Sequence, residues 1–146
     1  MRRAGLAATL LVVPLLAGCG SNTGKDYCET VRARQSQLGS IAAAGSAAGV
    51  LQALPILQEL EGSAPGDVQD DYQLVVTRIQ ALQHALDGAG VDPASYDPKH
   101  PPAGLSSTDR ARIRDAAAQL AATDTVQALG AIQQEVLDVC HTPLDL

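Results

Sequence analysis

The sequence is a short acidic chain of 146 residues, with ten basic and sixteen acidic side chains and a formal charge of −6 at pH 7. This length allows one domain, and the acidic balance disfavours nucleic acid and offers no polybasic attraction to an anionic membrane. Phe and Trp are absent and only three Tyr are present, so the core must be built from Leu, Val, Ile and Ala, and the aromatic anchors of tight interfaces are scarce.

The first eighteen residues have the pattern of an export signal. Arg2 and Arg3 form a basic start, and a largely apolar run follows from Ala4 to Ala17. This run is shorter than the roughly 20 residues that a membrane-spanning helix needs, which favours a cleaved signal over a permanent span. We therefore exclude residues 1–18 from the fold. Their removal takes away two basic side chains and no acidic one, so the formal charge of the remaining chain is −8.

The signal ends in Leu16-Ala17-Gly18-Cys19. This segment resembles the lipobox of bacterial lipoproteins, whose cysteine receives a diacylglycerol thioether and becomes the new N-terminus. The resemblance implies that Cys19 is the lipid attachment residue. Each buried methylene of an acyl chain contributes about 0.8 kcal/mol, so two chains would hold the protein durably at the membrane. The alternative is an ordinary secretory signal that leaves Cys19 unmodified.

If Cys19 is lipidated, Cys28 and Cys140 are the cysteines that remain. Disulfides form and persist in exported proteins, so we predict that these two residues pair and tie the first helix to the last. In the chain-entropy model, a bond that closes a loop of more than a hundred residues contributes about 4 to 5 kcal/mol. The alternatives are two buried thiols or a bond from Cys28 to a second molecule.

The remaining chain opens with a polar stretch, residues 19–25, which is predicted to be a tether. Residues 26–146 form the predicted domain. Apolar side chains recur at helical intervals from Asp26 and predict a first helix that extends to about Ala44. Those side chains are Tyr27, Val31, Leu38 and Ile41.

A second helix is predicted to follow Ser46, whose side chain can cap it. Pro55 lies inside the apolar pattern of this helix. Because proline lacks a backbone donor and its ring clashes with the preceding turn, we expect a kink or a break near Leu54. The apolar face of the helix is Val50, Leu51, Leu54, Leu57 and Leu60.

The third predicted helix has the most regular apolar stripe, with spacings that alternate between four and three. Asp67, Asp70 and Asp71 fall in its first turns, where negative charge complements the helix dipole. Gly88-Ala89-Gly90 supplies the stop. The stripe consists of Val68, Tyr72, Val75, Ile79, Leu82 and Leu86, and it is widened by Val76 and Ala85.

A Pro-rich loop is predicted from Val91 to Leu105. Its density of proline excludes a continuous helix, and a loop of about fifteen residues is long for a compact domain, which makes it either a packed cover or a functional segment. Tyr96 and His100 are the candidate contacts to a ligand or partner in this loop; the alternative for Tyr96 is that its ring covers the end of the bundle. The prolines are Pro93, Pro98, Pro101 and Pro102.

Two more helices are predicted after this loop. Ser106 opens the fourth, with Asp109 three residues on in an approximate capping box, and Thr123 is expected to cap the fifth. The apolar face of the fourth helix is Ile113, Ala117 and Leu120. The stripe of the fifth is Val126, Leu129, Ile132, Val136 and Val139, and Cys140 lies one turn beyond Val136.

The predicted architecture is all-α, an antiparallel bundle of four or five helices with a long Pro-rich loop and one disulfide. Besides the lipobox, four segments invite a family comparison: "DYCETV" from Asp26, "LPILQEL" from Leu54, "DPASYDPKHPPAGLS" from Asp92 and "VLDVCHTPL" from Val136. In this order they resemble small helical lipoproteins of high-G+C Gram-positive bacteria across nearly the full length. The resemblance implies a setting in the cell envelope and brings no activity with it.

Candidate catalytic and metal-binding residues are few. His84 lies off the apolar stripe of the third helix, and His141 is isolated in the tail. The sequence has neither a His pair at helical spacing nor the Glu-x-x-His motif of a di-iron bundle. Gly39-Ser40 and Gly45-Ser46 lack the strand-turn-helix setting of a nucleophile elbow. We therefore expect no metal site, no cofactor and no enzymatic activity.

Two binding roles remain. A surface-tethered module that binds a protein partner in the cell envelope predicts an exposed patch beside otherwise buried apolar positions. A carrier of a small apolar or amphiphilic ligand would need a cavity between the helices. We favour the protein-binding module, held at the extracytoplasmic face of the membrane through diacylglycerol on Cys19, with ligand carriage as the alternative.

Overall fold

The computed structural model describes residues 23–44 and 48–144 of the chain. Within these ranges the chain forms five helices and no strand, which confirms the predicted all-α bundle. The first helix begins three residues before its predicted start, so the last residues of the predicted tether are helical. The helices are α1 (Thr23–Ala44), α2 (Gly49–Ser63), α3 (Gln69–Gly88), α4 (Ser107–Leu120) and α5 (Thr123–Cys140).

Three of the four sides of the bundle are formed by one helix each, α1, α2 and α3. The fourth side is formed by α4 and α5 together. α1 packs against α2 and α2 against α3 as antiparallel pairs with short connections. α5 packs on α3 and closes back on α1, and Arg78 of α3 pairs with Asp124 at the start of α5 (Nη2 to Oδ2, 3.4 Å). In the described part of the chain, the backbone of α4 approaches only α3 and a short stretch of α5. The gap between α3 and α1 is therefore closed by α5, since the backbone of α4 does not approach α1 in the described ranges.

Two apolar cores fill this bundle. The main core contains twenty buried side chains of the described residues, drawn from α1, α2, α3, α5 and the segments that flank them. Its fully inaccessible members are Tyr27, Val31, Leu60, Tyr72, Ile132 and Val136. The satellite core consists of four buried side chains, Leu82, Leu86, Leu105 and Ile113, where the second half of α3 meets α4.

α3 follows its predicted stripe at every position. All six of the predicted stripe residues are buried, as is Val76. The stripe divides between the two cores: Tyr72, Val75 and Ile79 belong to the main core, whereas Leu82 and Leu86 belong to the satellite core. α3 is thus the one helix that both cores share, and it ends at Gly88, as predicted, ahead of a left-handed Gly90 (φ +65°).

α2 runs through Pro55 without a break, so of the predicted kink or break near Leu54 the break is wrong. A proline in a helix interior costs about 3 kcal/mol relative to alanine. The neighbouring Leu54, Ile56 and Leu57 are all buried while Pro55 is exposed, and the burial of each such side chain contributes about 1.5 to 3 kcal/mol. Packing on both sides of the proline therefore outweighs its cost. Ser46, the predicted cap, lies outside the described residues.

The predicted start of α4 is confirmed. The Ser106 side chain accepts a hydrogen bond from the Asp109 backbone N–H (3.0 Å) and donates one to the Asp109 carboxylate (2.6 Å). Ile113 is buried as predicted, but Ala117 is exposed. A helix that packs mainly on α3 buries a narrow stripe, and that stripe does not reach Ala117.

The predicted inner face of α5 is wrong at both ends. Val126 and Val139 are 56% and 41% exposed, because the buried stripe runs through Thr125, Ala128, Ile132, Val136 and Cys140. The predicted cap is also wrong: Thr123 is the first residue of the helix, and no side chain caps it. Thr125, buried at the start of the helix, instead donates its hydroxyl to the Gln119 carbonyl (2.8 Å).

The C-terminal tail folds back along α1. His141 adopts the left-handed conformation (φ 54°), which reverses the chain after Cys140. The Gln35 side chain then donates to the Pro143 carbonyl (2.8 Å) and accepts from the Thr142 hydroxyl (3.2 Å). Leu144 is buried in the main core. The tail is therefore part of the packed domain.

Candidate functional site

The predicted cysteine pair joins the two ends of the domain. Cys28 of α1 and Cys140 of α5 are disulfide-bonded, with Cα atoms 5.2 Å apart, and both are buried. Arg32, one turn after Cys28, donates to the Cys140 carbonyl (3.4 Å). The pairing confirms the prediction and places the start of α1 beside the end of α5. Cys19, the predicted lipid attachment residue, lies outside the described residues.

A buried tyrosine pair lies at the same end of the bundle. The hydroxyls of Tyr27 and Tyr72 are 2.8 Å apart and share a hydrogen bond, and the rings meet edge to face with centroids 6.2 Å apart. Burial raises the pKa of both hydroxyls, so both stay neutral. The hydrogen bond satisfies two polar groups inside an apolar core, which gives the pair a structural role.

Three carboxylates, those of Asp67, Glu135 and Asp138, lie near this end of the bundle. Partial burial raises the pKa of Glu135 on α5, and the carboxylates of Asp67 and Asp138 raise it further. The ionised form of Glu135 is therefore disfavoured in the folded state. The three carboxylates form an acidic cluster in which the charges of Asp67 and Asp138 act on Glu135.

An open pocket lies between the start of α1 and the end of α5. Its volume is about 360 Å³. Three of its lining side chains are charged, and they recur at spacings of four and three along one face of α1. The lining residues are Gly24, Lys25, Cys28, Glu29, Arg32 and Val139. The pocket therefore combines apolar surface with two cationic groups and one anionic group.

The exposed apolar surface lies on α5. Val126 is 56% exposed and Leu137 is 48% exposed. They are three helical turns apart and so share one side of the helix. Leu129, which is half-buried, lies at the edge of this side, and Gly130 lies within it with open space around it. We call the surface formed by Val126, Leu129, Gly130, Gln133 and Leu137 the α5 apolar face.

Tyr96 and His100, the predicted contacts, both lie in the connection between α3 and α4 and have different neighbours. Tyr96 is half-buried and packs against the satellite core, which fits its alternative role as a cover. His100 is exposed and donates from Nδ1 to the Asp97 carboxylate (2.8 Å). This hydrogen bond lowers the pKa of Asp97, and a backbone hydrogen bond from Lys99 lowers it further. The arrangement orders a turn.

The described residues contain neither a metal-binding cluster nor a helix suited to span a membrane. No group of three or more His, Cys, Asp or Glu side chains in residues 23–44 and 48–144 is placed to hold a metal ion. In the same ranges, no helix combines the length and the apolar content that crossing a bilayer requires.

Comparisons with protein-family models, with curated proteins and with solved structures find no match to this chain. Its candidate sites therefore rest on the pocket and on the α5 apolar face. Neither of these two sites was predicted from the sequence. The spacing of Lys25, Glu29 and Arg32 was visible there, but the other wall of the pocket comes from Val139, which is more than a hundred residues away.

Proposed function

We propose that this protein is a lipid-anchored helical module of the cell envelope that binds a protein partner through the α5 apolar face. The observation that supports this role is the exposure of Val126 and Leu137 on a side of α5 that lies outside the buried stripe of this helix. Contiguous exposed apolar patches mark interaction sites, and the half-buried Leu129 adds apolar surface between Val126 and Leu137. We assign no catalytic residue and no cofactor.

The chemistry around the α5 apolar face indicates the kind of partner. Gln133 lies within the face, and Gln134 and Asp138 lie beside it, joined by a hydrogen bond (2.9 Å). The chain without residues 1–18 carries a formal charge of −8, so a partner with basic residues around an apolar ridge would be steered toward it. An amphipathic helix with a basic border meets this description.

Site-specific photocrosslinking in the native envelope tests the partner. A photoreactive residue would replace Leu137, and a matched variant would carry it at Ala118, which is exposed on α4. We expect one crosslinked protein of defined mass from position 137 and none from position 118. Adding Val126→Glu to the Leu137 variant should abolish the product.

Three outcomes would contradict the proposed partner. They are equal labelling at positions 137 and 118, survival of the product in the Val126→Glu background, and a product of twice the mass of this chain. The last result would assign the α5 apolar face to self-association.

The anchor requires a separate test. The resemblance of Leu16-Ala17-Gly18-Cys19 to a lipobox supports diacylglycerol on Cys19 and attachment at the extracytoplasmic face of the membrane. We expect an alkyne fatty acid fed to cells to label the wild type, and Cys19→Ala to remove the label. Cys28→Ala serves as the control because it removes a cysteine that the lipobox does not include. Labelling that persists in Cys19→Ala would overturn the anchor.

The ligand-binding alternative is favoured by one observation, the pocket between α1 and α5. The pocket is open and carries three charged side chains, whereas a carrier of an apolar molecule needs an enclosed apolar cavity. An amphiphile with a charged head fits this lining better than an apolar cargo.

A further inference from the structure

The charges around the pocket between α1 and α5 set the chemistry that it can recognise. None of Lys25, Glu29 and Arg32 forms an ion pair with another described residue, and the one hydrogen bond of Arg32 in these ranges goes to the Cys140 carbonyl. Arg32 can offer further N–H donors to a ligand. Two cations and one carboxylate around one opening match a ligand that carries both an anion and a cation.

A phosphate joined to a primary ammonium meets this requirement. Arg and Lys are the side chains that bind phosphate oxygens most strongly, and the Glu29 carboxylate can accept hydrogen bonds from an ammonium. A glycerol headgroup would leave Glu29 facing an anion. A quaternary ammonium has no N–H to donate and is recognised by aromatic rings, which the lining residues lack.

The position of the pocket along the chain indicates where the ligand is found. Gly24, in its lining, is five residues after Cys19, and five residues span at most about 18 Å. If Cys19 carries the proposed lipid, on which this step rests, the pocket is held within reach of the headgroup layer. The pocket volume of about 360 Å³ falls in the range of small-ligand sites, about 300 to 1,000 Å³.

We propose that the pocket between α1 and α5 binds the phosphoethanolamine headgroup of a membrane phospholipid, with Lys25 and Arg32 on the phosphate and Glu29 on the ammonium. The lipid on Cys19 would attach the protein to the membrane, and the pocket would fix how the domain sits on it. The α5 apolar face would then be presented at a defined orientation to its partner.

Native mass spectrometry of the full chain, purified from its envelope in a non-ionic detergent, tests this site. The probes are short-chain phosphatidylethanolamine, phosphatidylcholine and phosphatidylglycerol at equal concentration. We expect adducts chiefly with phosphatidylethanolamine, and about tenfold fewer of them in Lys25→Ala/Arg32→Ala because the charge-assisted contacts are lost. Arg110→Ala/Arg114→Ala, which removes two exposed cations from α4, is the matched control and should keep the adducts.

Two variants separate the headgroup from the anchor. Glu29→Gln keeps the side-chain shape and should abolish the preference for phosphatidylethanolamine over phosphatidylglycerol. Cys19→Ala should keep the preference, since the site does not involve the acyl chains; the headgroup site would then stand even if the proposed anchor failed. Adducts that are unchanged in Lys25→Ala/Arg32→Ala, or a preference of the wild type for phosphatidylglycerol, would overturn the site.

A soluble competitor separates the two sources of the headgroup. Glycerophosphoethanolamine should displace the lipid, but only at about tenfold higher concentration, because the lipid also gains from its acyl chains in the micelle. Failure to displace the lipid at any concentration would show that the headgroup is not recognised. Equal or tighter binding of the soluble diester would overturn the membrane source.

Discussion

The main core and the satellite core are held together in different ways. The main core joins both ends of the described domain, contains twenty buried side chains of the described residues, and is crossed by the Cys28–Cys140 disulfide. The satellite core has four buried side chains and holds α4 against α3. Ile113 is the one buried side chain of α4. The first half of α3 therefore packs in a large core that a disulfide crosses, whereas the second half packs in a small core that holds α4.

This difference predicts two levels of stability in one small domain. Regions with few buried apolar contacts open at lower free energy than the rest of a protein. We expect α4 and the connection before it to open while the main core stays folded. The α5 apolar face and the pocket both border the main core, so both proposed binding surfaces would be kept through such an opening.

Removing the disulfide should have the largest effect on stability. The bond joins residues 112 apart in sequence, and the chain-entropy model gives about 4 to 5 kcal/mol for a loop of that length. We expect Cys140→Ser to lower the free energy of unfolding by about this amount, measured by urea denaturation followed by circular dichroism.

Two controls show whether the covalent link is responsible. Cys28→Ser/Cys140→Ser and the reduced wild type should both unfold at nearly the same urea concentration as Cys140→Ser. A reduced wild type as stable as the oxidised protein would show that the link contributes little and that the main core is held by packing alone.

Two isoleucine truncations compare the cores directly. Ile132 is buried in the main core and Ile113 in the satellite core, and an Ile→Ala change in a packed site costs about 2 to 5 kcal/mol. We expect Ile132→Ala to lower the global free energy of unfolding within that range. Ile113→Ala should lower the global free energy of unfolding by less, since the loss cannot exceed the free energy that holds α4 against α3.

Hydrogen exchange distinguishes the two results. In Ile113→Ala the amides of α4 should exchange faster while those of α1 and α5 keep their protection. Ile132→Ala should instead speed exchange throughout the bundle. Uniform acceleration in Ile113→Ala would mean that the two cores unfold as one unit, and the division between them would be wrong.

The parts of the fold that were predictable from sequence are those that local spacing decides. The stripe of α3 repeats at fours and threes over its whole length, and the Ser106–Asp109 cap needs no information from other helices. The disulfide was predicted by counting the cysteines that remain after a predicted export signal and lipid attachment residue. In each case the residues involved are sufficient to predict the feature.

The parts that were wrong depend on neighbouring elements. Val126 and Val139 are apolar and regularly spaced, yet α5 turns Thr125 and Ala128 inward because α3 and α1 meet that side. Thr125 can be buried because the Gln119 carbonyl, on α4, accepts its hydroxyl. The pocket likewise needs both α1 and Val139. A single sequence does not state which side of a helix its neighbours will cover.

The tyrosine pair offers a smaller test inside the main core. Tyr27→Phe would leave the buried Tyr72 hydroxyl without its described partner, at a cost of about 1 to 3 kcal/mol. Tyr27→Phe/Tyr72→Phe should recover much of this loss, because neither hydroxyl then remains to be satisfied. Thermal unfolding of the two single variants and the double variant measures the coupling. Strictly additive losses would show that the hydroxyls do not depend on each other.

The smallest expected effect comes from removing the charge of Glu135. Unlike the substitutions above, this one should stabilise the protein. Partial burial and the carboxylates of Asp67 and Asp138 raise the pKa of Glu135 in the folded state above its value in the unfolded chain. The folded state therefore binds the proton more tightly, and this contribution to stability is present at low pH and lost as the pH rises through the folded pKa.

Glu135→Gln removes the charge and keeps the shape of the side chain. It should raise the free energy of unfolding at pH 7 by about 0.5 kcal/mol, as expected for a partly exposed charge, and the gain should vanish below the pKa of an unfolded glutamate, about 4.3. Urea midpoints measured from pH 3.5 to pH 7.5 test this, with Glu61→Gln, half-buried on α2, as the matched control for removing one glutamate charge elsewhere. A Glu135→Gln variant that is less stable at pH 7 would mean that the carboxylate makes a favourable contact at this end of the main core, and the acidic cluster would then help to hold the two chain ends together.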